Sequence, residues 1–260
     1  MKGTGMKGAG LSRLEIRSLS VILGGRTVLS DFDLTVNSGE FVAVVGPNGS
    51  GKSTLLRTIA GDLAPTHGTV RISGINPASV NAQTAAAIRS YLPQAHVTDI
   101  GFDVATVVGF GAYASDGVEE PRERVYASMR RVGVTDLADR PFRALSGGEQ
   151  RRVTIARVLC QDAPVVLLDE PTDSLDLGHA DQVMSVAAEE ASNGRIVIST
   201  SHDLNVAGRH ATSMVLMHNG HVVKSGSPSE VLVADLLSDV YETTVTVIPH
   251  PTTGTPIVVR

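Results

Sequence analysis

Tryptophan is absent, and aromatic residues make up only 3% of the 260 residues. So thin a supply argues against the stacked ring platforms that hold single-stranded nucleic acid. A basic stripe is also missing, because Lys+Arg total 22 against Asp+Glu 27. No nucleic-acid partner is therefore expected. Cys160 is the one cysteine, so no intrachain disulfide can form, which fits a reducing compartment. It lies in an apolar helical stretch and reads as a small core residue rather than a nucleophile. No window approaches ~18 uninterrupted apolar residues, so no membrane span is expected. Residues 1–11 are glycine-rich without the apolar stretch of a signal peptide, and read as a flexible tail. The 42% hydrophobic content is enough for one sizeable core with an inserted subdomain.

What is present begins with Gly46-Pro47-Asn48-Gly49-Ser50-Gly51-Lys52-Ser53-Thr54. It follows the apolar run Phe41–Val45 and opens an apolar helix carrying Leu55, Leu56 and Ile59. Strand, glycine-rich turn and helix in that order form a phosphate-binding loop. Glycines permit the close backbone approach that lets successive N–H groups face phosphate oxygens at a helix start. Lys52 supplies a point charge for the β- and γ-phosphates, and the Ser53 hydroxyl is placed to ligate Mg²⁺. The expected ligand is a nucleoside triphosphate.

Around this loop the pattern is α/β. Residues 14–23 and 27–36 read as two strands joined at Gly24-Gly25, and residues 70–72 as a short strand. Residues 103–108, 121–132 and 149–160 read as helices, inside a helical insertion over about 95–162. Residues 165–168 and 196–198 are apolar runs of buried parallel strands, separated by a crossover helix near 180–191. Asn219-Gly220 marks a hairpin between 214–217 and 221–224. One helical stretch over 230–241 and strands at 245–248 and 257–259 finish the chain.

Val165–Leu168 runs into Asp169 and Glu170. A strand-terminal Asp beside a phosphate loop helps to hold Mg²⁺. Strand alternation sends neighbouring side chains different ways, leaving Glu170 to polarise the attacking water. Leu145-Ser146-Gly147-Gly148-Glu149-Gln150 contains the S-x-x-E of a capping box. Alone it says only that a helix begins there.

Taken with the phosphate loop and Leu167-Leu-Asp-Glu-Pro-Thr172, that hexapeptide makes the chain resemble the ATP-binding-cassette (ABC) family over about residues 13 to 245. The resemblance implies a RecA-like P-loop NTPase core with an N-terminal antiparallel β-subdomain and an inserted helical signature subdomain. Residues 12–248 would form the ATPase domain and 249–260 an extension. It also implies that Leu145–Gln150 is a signature motif acting on a partner's ATP, and that Ser174-Leu175-Asp176 is a loop crossing between subunits. Gln94 looks like the glutamine that meets Mg²⁺ and the attacking water. His202, in Ser199-Thr-Ser-His-Asp203, looks like the switch histidine on the γ-phosphate. The catalytic set would then be Glu170, His202, Lys52 and Gln94, with Ser53, Gln94 and Asp169 on the metal. Two copies would pair head-to-tail at the cytoplasmic face of a membrane, bound peripherally to permease subunits and indirectly served by a solute-binding protein.

Three segments are similar to the iron-complex importer branch, which serves ferric siderophores, haem and cobalamin: Phe102–Gly109 with Gly111-Ala-Tyr113, Ser201–Asn205, and the ending His250–Val259. That branch often has Arg where Ala112 stands. Zinc or manganese import, or a soluble iron–sulfur assembly cassette, are the other readings. The family often stacks an aromatic ring on adenine just after the first strand, where this chain has Leu23. An aliphatic side chain offers apolar contact without a π face. Base discrimination should therefore be weak. We expect GTP hydrolysis within about tenfold of the ATP rate; a GTP rate below one tenth would contradict the assignment of Leu23 as the adenine contact.

Overall fold

In the computed structural model, residues 12–94, 101–114 and 121–259 are described. The expected N-terminal tail lies outside them. Strand β1 (Arg13–Leu23) pairs antiparallel with β2 (Arg26–Asn37) on one side. On its other side it pairs with β4 (His67–Ile72). Between β2 and β4 come β3 (Phe41–Val45) and α1 (Lys52–Ala60).

β3 belongs to a second sheet of six strands, in the order β5-β6-β7-β3-β8-β9. Its other members are β5 (Arg89–Leu92), β6 (Val165–Leu168), β7 (Ile196–Ser201), β8 (Ser213–His218) and β9 (His221–Gly226). All neighbours pair parallel except β8 with β9. Those two are joined through Asn219 and Gly220, both at positive φ (48° and 80°) as the expected turn requires.

The pleat splits the core in two. Phe41, Ala43 and Val45 of β3 point into one apolar cluster, with Val166 and Leu168 of β6. Val42 and Val44 point into the other, with Val165 and Leu167. Both faces are thus covered, which is why these strands read as unbroken apolar runs. The first cluster continues into the helical region of α3 (Val104–Gly109), α4 (Pro121–Arg131) and α5 (Gly147–Cys160). The second packs against α1 and the antiparallel sheet.

Helix α6 (Leu177–Ser192) makes the crossover to β7, and α7 (Leu204–His210) follows it. The single helix expected over 230–241 is in fact two, α8 (Pro228–Val231) and α9 (Ala234–Tyr241). Ser227 and Glu230 form a capping box with Pro228 at the first helical position, so the first helix starts earlier and stops after one turn. A small hairpin, β10 (Thr246–Pro249) with β11 (Pro256–Val259), ends the described chain. Helix α2 (Ala82–Ile88) and strand β5 were not read from sequence. Ala85 is the one buried residue of α2, so it carries no apolar period to detect.

The helical region is fastened to the α/β body by charge as well as by packing. The Glu190 carboxylate of α6 is almost fully buried and accepts from Arg131 of α4 and from Arg195 ahead of β7. Glu189 takes the other guanidinium nitrogen of Arg131 at 2.8 Å. Both arginines keep about a quarter of their side-chain surface (28% and 24%), which tempers the cost of losing the acid. Glu190→Gln should cost about 2–3 kcal/mol in urea denaturation, below the ~3–5 range for fully buried pairs. A change under about 0.5 kcal/mol would show that the pairing contributes nothing.

Candidate nucleotide site

Parallel register brings four loops to one edge. Leu92 of β5 is level with Leu168 of β6, Leu168 with Ser199 of β7, and Val45 of β3 with Ser201 of β7. The residues leaving these strands are Gln94, Asp169 and Glu170, Gly46, and His202. Gln94, Glu170 and His202 line a cavity of about 630 Å³ at the carboxyl ends of the strands together with residues of the glycine loop, and Asp169 lies just behind it, bonded to Ser53. Open α/β sheets bind ligands at that edge.

Gly46 has φ 148°, and a Cβ there would lie 2.1 Å from the Met217 carbonyl oxygen. No side chain fits at this point of the turn. Lys52 is buried, and its Nζ donates to the Gly46 and Pro47 carbonyls at 2.8 and 3.1 Å. Burial pulls its ammonium below the ordinary value, while the charges of Glu170 and Asp169 pull it back up. The Ser50 hydroxyl is buried in the loop and has no hydrogen-bond partner among the described residues. A polar group so placed suits a polar ligand.

Ser53 Oγ donates to Asp169 Oδ1 at 3.1 Å. Thr200 Oγ1 donates to that same oxygen at 2.6 Å and accepts the Glu170 N–H at 2.8 Å. Gln94 Nε2 donates to Glu170 Oε2 at 2.8 Å, which leaves the Gln94 carbonyl oxygen for other use. The donors are all hard oxygens. The Ser53–Asp169 separation is near the edge of an octahedron with bonds of about 2.0–2.1 Å, so these residues fit Mg²⁺.

The divergence of the two acids has a cause other than the expected strand pleat. β6 stops at Leu168, and Glu170 sits at φ 49° in the turn beyond it. Its carboxyl is raised above the ordinary range, first by burial and then by a hydrogen bond to Asp173 and that residue's charge. His202 Nδ1 lies 3.5 Å from Asp173 Oδ1 and 4.0 Å from Glu170 Oε2.

Arg151 ties this edge to the helical region. It is only 1% exposed, and burial pushes its guanidinium down to about 10. It donates to the carbonyls of Pro93 (2.9 Å), Glu170 (2.6 Å), Asp169 and Pro171 (3.4 Å). Thr200, Asp173 and Arg151 went unrecognised in the sequence because none sits at a motif's diagnostic position. Val28 was missed as well. It lines the cavity, whereas Leu23, expected against the base, does not.

Leu145–Gln150 and Ser174–Asp176 lie elsewhere. Ser146 caps α5 with its reciprocal Glu149 contact, and the Ser146 hydrogen bonds hold the Glu149 carboxyl below its usual range. Ser146, Gly148, Glu149, Ser174, Leu175 and Asp176 border a second depression of about 450 Å³. It shares no lining residue with the first. Asp176 also caps α6, through His179 N at 2.9 Å. Leu145, Gly147 and Gln150 of the hexapeptide do not line the second depression, and the Gln150 amide is buried against the Phe142 and Leu145 carbonyls (3.3 and 3.2 Å).

The protein-family model described as ABC transporter matches residues 29–173. The chain is 44% identical to the hemin import ATP-binding protein HmuV of Streptomyces coelicolor, over 93% of this chain and 87% of that protein. It is 42% identical to HmuV of Thermobifida fusca, over 94% and 87%. Its fold matches a dimeric ATP-binding cassette solved in a post-hydrolysis state with ADP and Pi. That match has a TM-score of 0.75 and 26% identity, and covers 83% of this chain and 98% of the other.

Thr200 provides a direct check of the acid cluster. Thr200→Val deletes both of its hydrogen bonds and should cost about 1–3 kcal/mol of stability. Nucleotide hydrolysis should fall about tenfold or more, while Thr200→Ser keeps both properties. A valine variant as stable and as fast as the parent would separate Asp169 from this support.

Proposed function

The chain belongs to the ABC transporter family and is an ABC-type, ATP-binding ATPase; from that premise we propose that it energises an importer of haem, as the ATP-hydrolysing subunit. The observation that carries the catalytic part is the convergence of the glycine loop, Gln94, Glu170 and His202 on one cavity, with Asp169 bonded to Ser53 at its wall. The haem assignment is supported by the names and extent of the relatives above.

In this reading the loop from Gly46 to Thr54 wraps the phosphates with backbone N–H groups, and Lys52 carries the compensating charge. Ser53, Asp169 and Gln94 would hold Mg²⁺, which would supply charge neutralisation at the phosphates. Glu170 accepts a hydrogen bond from the attacking water and aligns it. Its partly buried carboxylate and the Gln94 contact fix that direction. His202 donates to the γ-phosphate as charge builds there. Catalysis of this kind is positioning plus electrostatics.

ABC cassettes dimerise and pair with permeases in transporter complexes. For this chain the two depressions support a head-to-tail homodimer in which Ser146–Gly148 of each copy complete the other's site. Membrane permease subunits, a solute-binding protein acting through them, and a peripheral position at the cytoplasmic face follow from that arrangement. Among the described residues no helix is long and apolar enough to cross a membrane.

The test uses the cassette with its permease in lipid vesicles. Parent protein should drive ATP-dependent haem uptake in preference to cobalamin or zinc. Glu170→Gln should bind ATP, sediment as a dimer and abolish uptake. Hydrolysis by Glu170→Gln at the parent rate would remove Glu170 from catalysis, and uptake of zinc alone would overturn the solute.

A further inference from the structure

His202 is exposed over 60% of its side chain, so packing does not hold its imidazole in place. Its position depends on the backbone that carries it. That backbone is the turn from β7 into α7, and it is closely bonded. Ser201 Oγ accepts the Asp203 N–H at 3.0 Å and donates to the Asp203 carbonyl at 3.1 Å. Asp203 Oδ1 accepts from the N–H groups of Asn205 (2.9 Å) and Val206 (3.0 Å).

One further link leaves this turn. Asn205 Nδ2 donates to the Val258 carbonyl at 3.0 Å, and Asn205 Oδ1 accepts the Val258 N–H at 2.7 Å. The side-chain amide thus meets one residue of β11 as a neighbouring strand would, with a bond in each direction. β10 and β11 pair only with each other and join neither larger sheet. Val247 and Val258 of the hairpin pack at the margin of the main core, near Leu204, Val206 and Tyr241. The hairpin's own turn is closed by His250 N to the Thr255 carbonyl (2.8 Å) and Gly254 N to the His250 carbonyl (2.9 Å). A depression of about 330 Å³ runs between the two, with His202 and Asn205 on one side and Val258 on the other.

We infer that the β10–β11 hairpin is a strap that sets where His202 stands, and that Asn205 is the positioning residue through which it acts. The inference rests on the reading of His202 as the γ-phosphate contact. Asn205 itself touches no reacting atom. Its contribution is to deny the first turn of α7, and His202 two residues before that helix, the freedom to drift. Misplacement of a catalytic group by about 1 Å can cost up to 10²-fold in rate. A partial loosening through one residue should cost about tenfold.

Steady-state ATP hydrolysis by four variants tests this. Asn205→Ala removes both bonds. Val258→Pro removes the N–H that Asn205 accepts. Asn205→Asp keeps an acceptor for that N–H and loses the donor, and covers the case in which the proline variant does not fold. His202→Ala serves as the reference. Asn205→Ala should lower kcat about tenfold with KM within about twofold, and Asn205→Asp should fall between it and the parent. The double variant with Val258→Pro should be no slower than the slower single, because both cut one link.

Asn205→Ala at the parent rate, with His202→Ala inactive, would remove the strap while leaving the site reading intact. Multiplying losses in the double variant would also overturn it, because the two residues would then act separately. A rise in KM with kcat unchanged would assign Asn205 to binding and reject the inference. His202→Ala at the parent rate would instead sink the reading of His202, and the strap with it.

Discussion

One buried guanidinium fixes the geometry on which the rest depends. Arg151 rises from the helix that Ser146 opens, yet its hydrogen bonds end on carbonyls of the Gln94 loop and of the Asp169–Pro171 turn. Burying such a cation is costly unless its donors are all used. Four main-chain acceptors and the nearby charges of Asp173, Asp169 and Glu170 offset that cost. The helical region is thereby bonded to the backbone it must act upon. A shift of α5 would be felt at Gln94 and at Glu170 together, through one side chain.

The second constraint is the parallel sheet. Because β5, β6, β7 and β3 run the same way in matched register, whatever leaves their carboxyl ends emerges side by side. Residues far apart in the chain, Gln94 and Glu170 among them, come within 2.8 Å without any element being bent to bring them there. Thr200 adds the next layer. Placed on β7 beside β6, its hydroxyl fixes Asp169 from one side and the Glu170 backbone from the other. The turn at Glu170 then costs a positive φ in a non-glycine residue, a strain of order 1–3 kcal/mol that this bonding offsets.

How much of this was legible in the sequence follows from the range of each interaction. The glycine loop, the capping box at Ser146 and the turn at Asn219-Gly220 are local. Their residues are chosen by φ, by a missing Cβ or by a cap three residues away, so the order of amino acids exposes them. Strands β3 and β6 and the first half of β7 were legible because burial on both faces leaves apolar types, whereas β5, with Arg89, Ser90 and Tyr91, was not. Arg151, Thr200 and Val28 matter through residues distant in the chain, and nothing in their immediate neighbours records that. Leu23 illustrates the converse. Its place in the chain suggested the base, but it ends a strand at a tight turn, while Val28 on the return strand faces the cavity. Helix α2 was silent for a different reason: a cap at Asn81 and alanines hold it, with almost no apolar face.

The site built along that edge is chemically one-sided. In the proposed reading it collects groups that would bind phosphate, hold a cation and direct water, all from the glycine loop and the strand ends. The helix start at Ser146–Gly148, whose dipole suits an anion although Glu149 takes the Ser146 N–H, opens onto a separate depression with the Ser174–Asp176 loop. Glycine at 147 and 148 keeps that helix tip bare. Nothing lies within 4 Å of a Cβ built at Gly147, so the small residue there is not explained by crowding within this chain. Gly148 differs, because a Cβ there would sit 3.0 Å from the Ser174 carbonyl, and intrachain packing alone accounts for it. A bare tip at Gly147 serves a surface that something else must approach. In the proposed dimer that approach is made by a triphosphate held on the other copy. The proposed sharing of one nucleotide between two chains accords with where the sheet edge and the α5 helix start leave the molecule's anion-binding groups: on two separate depressions.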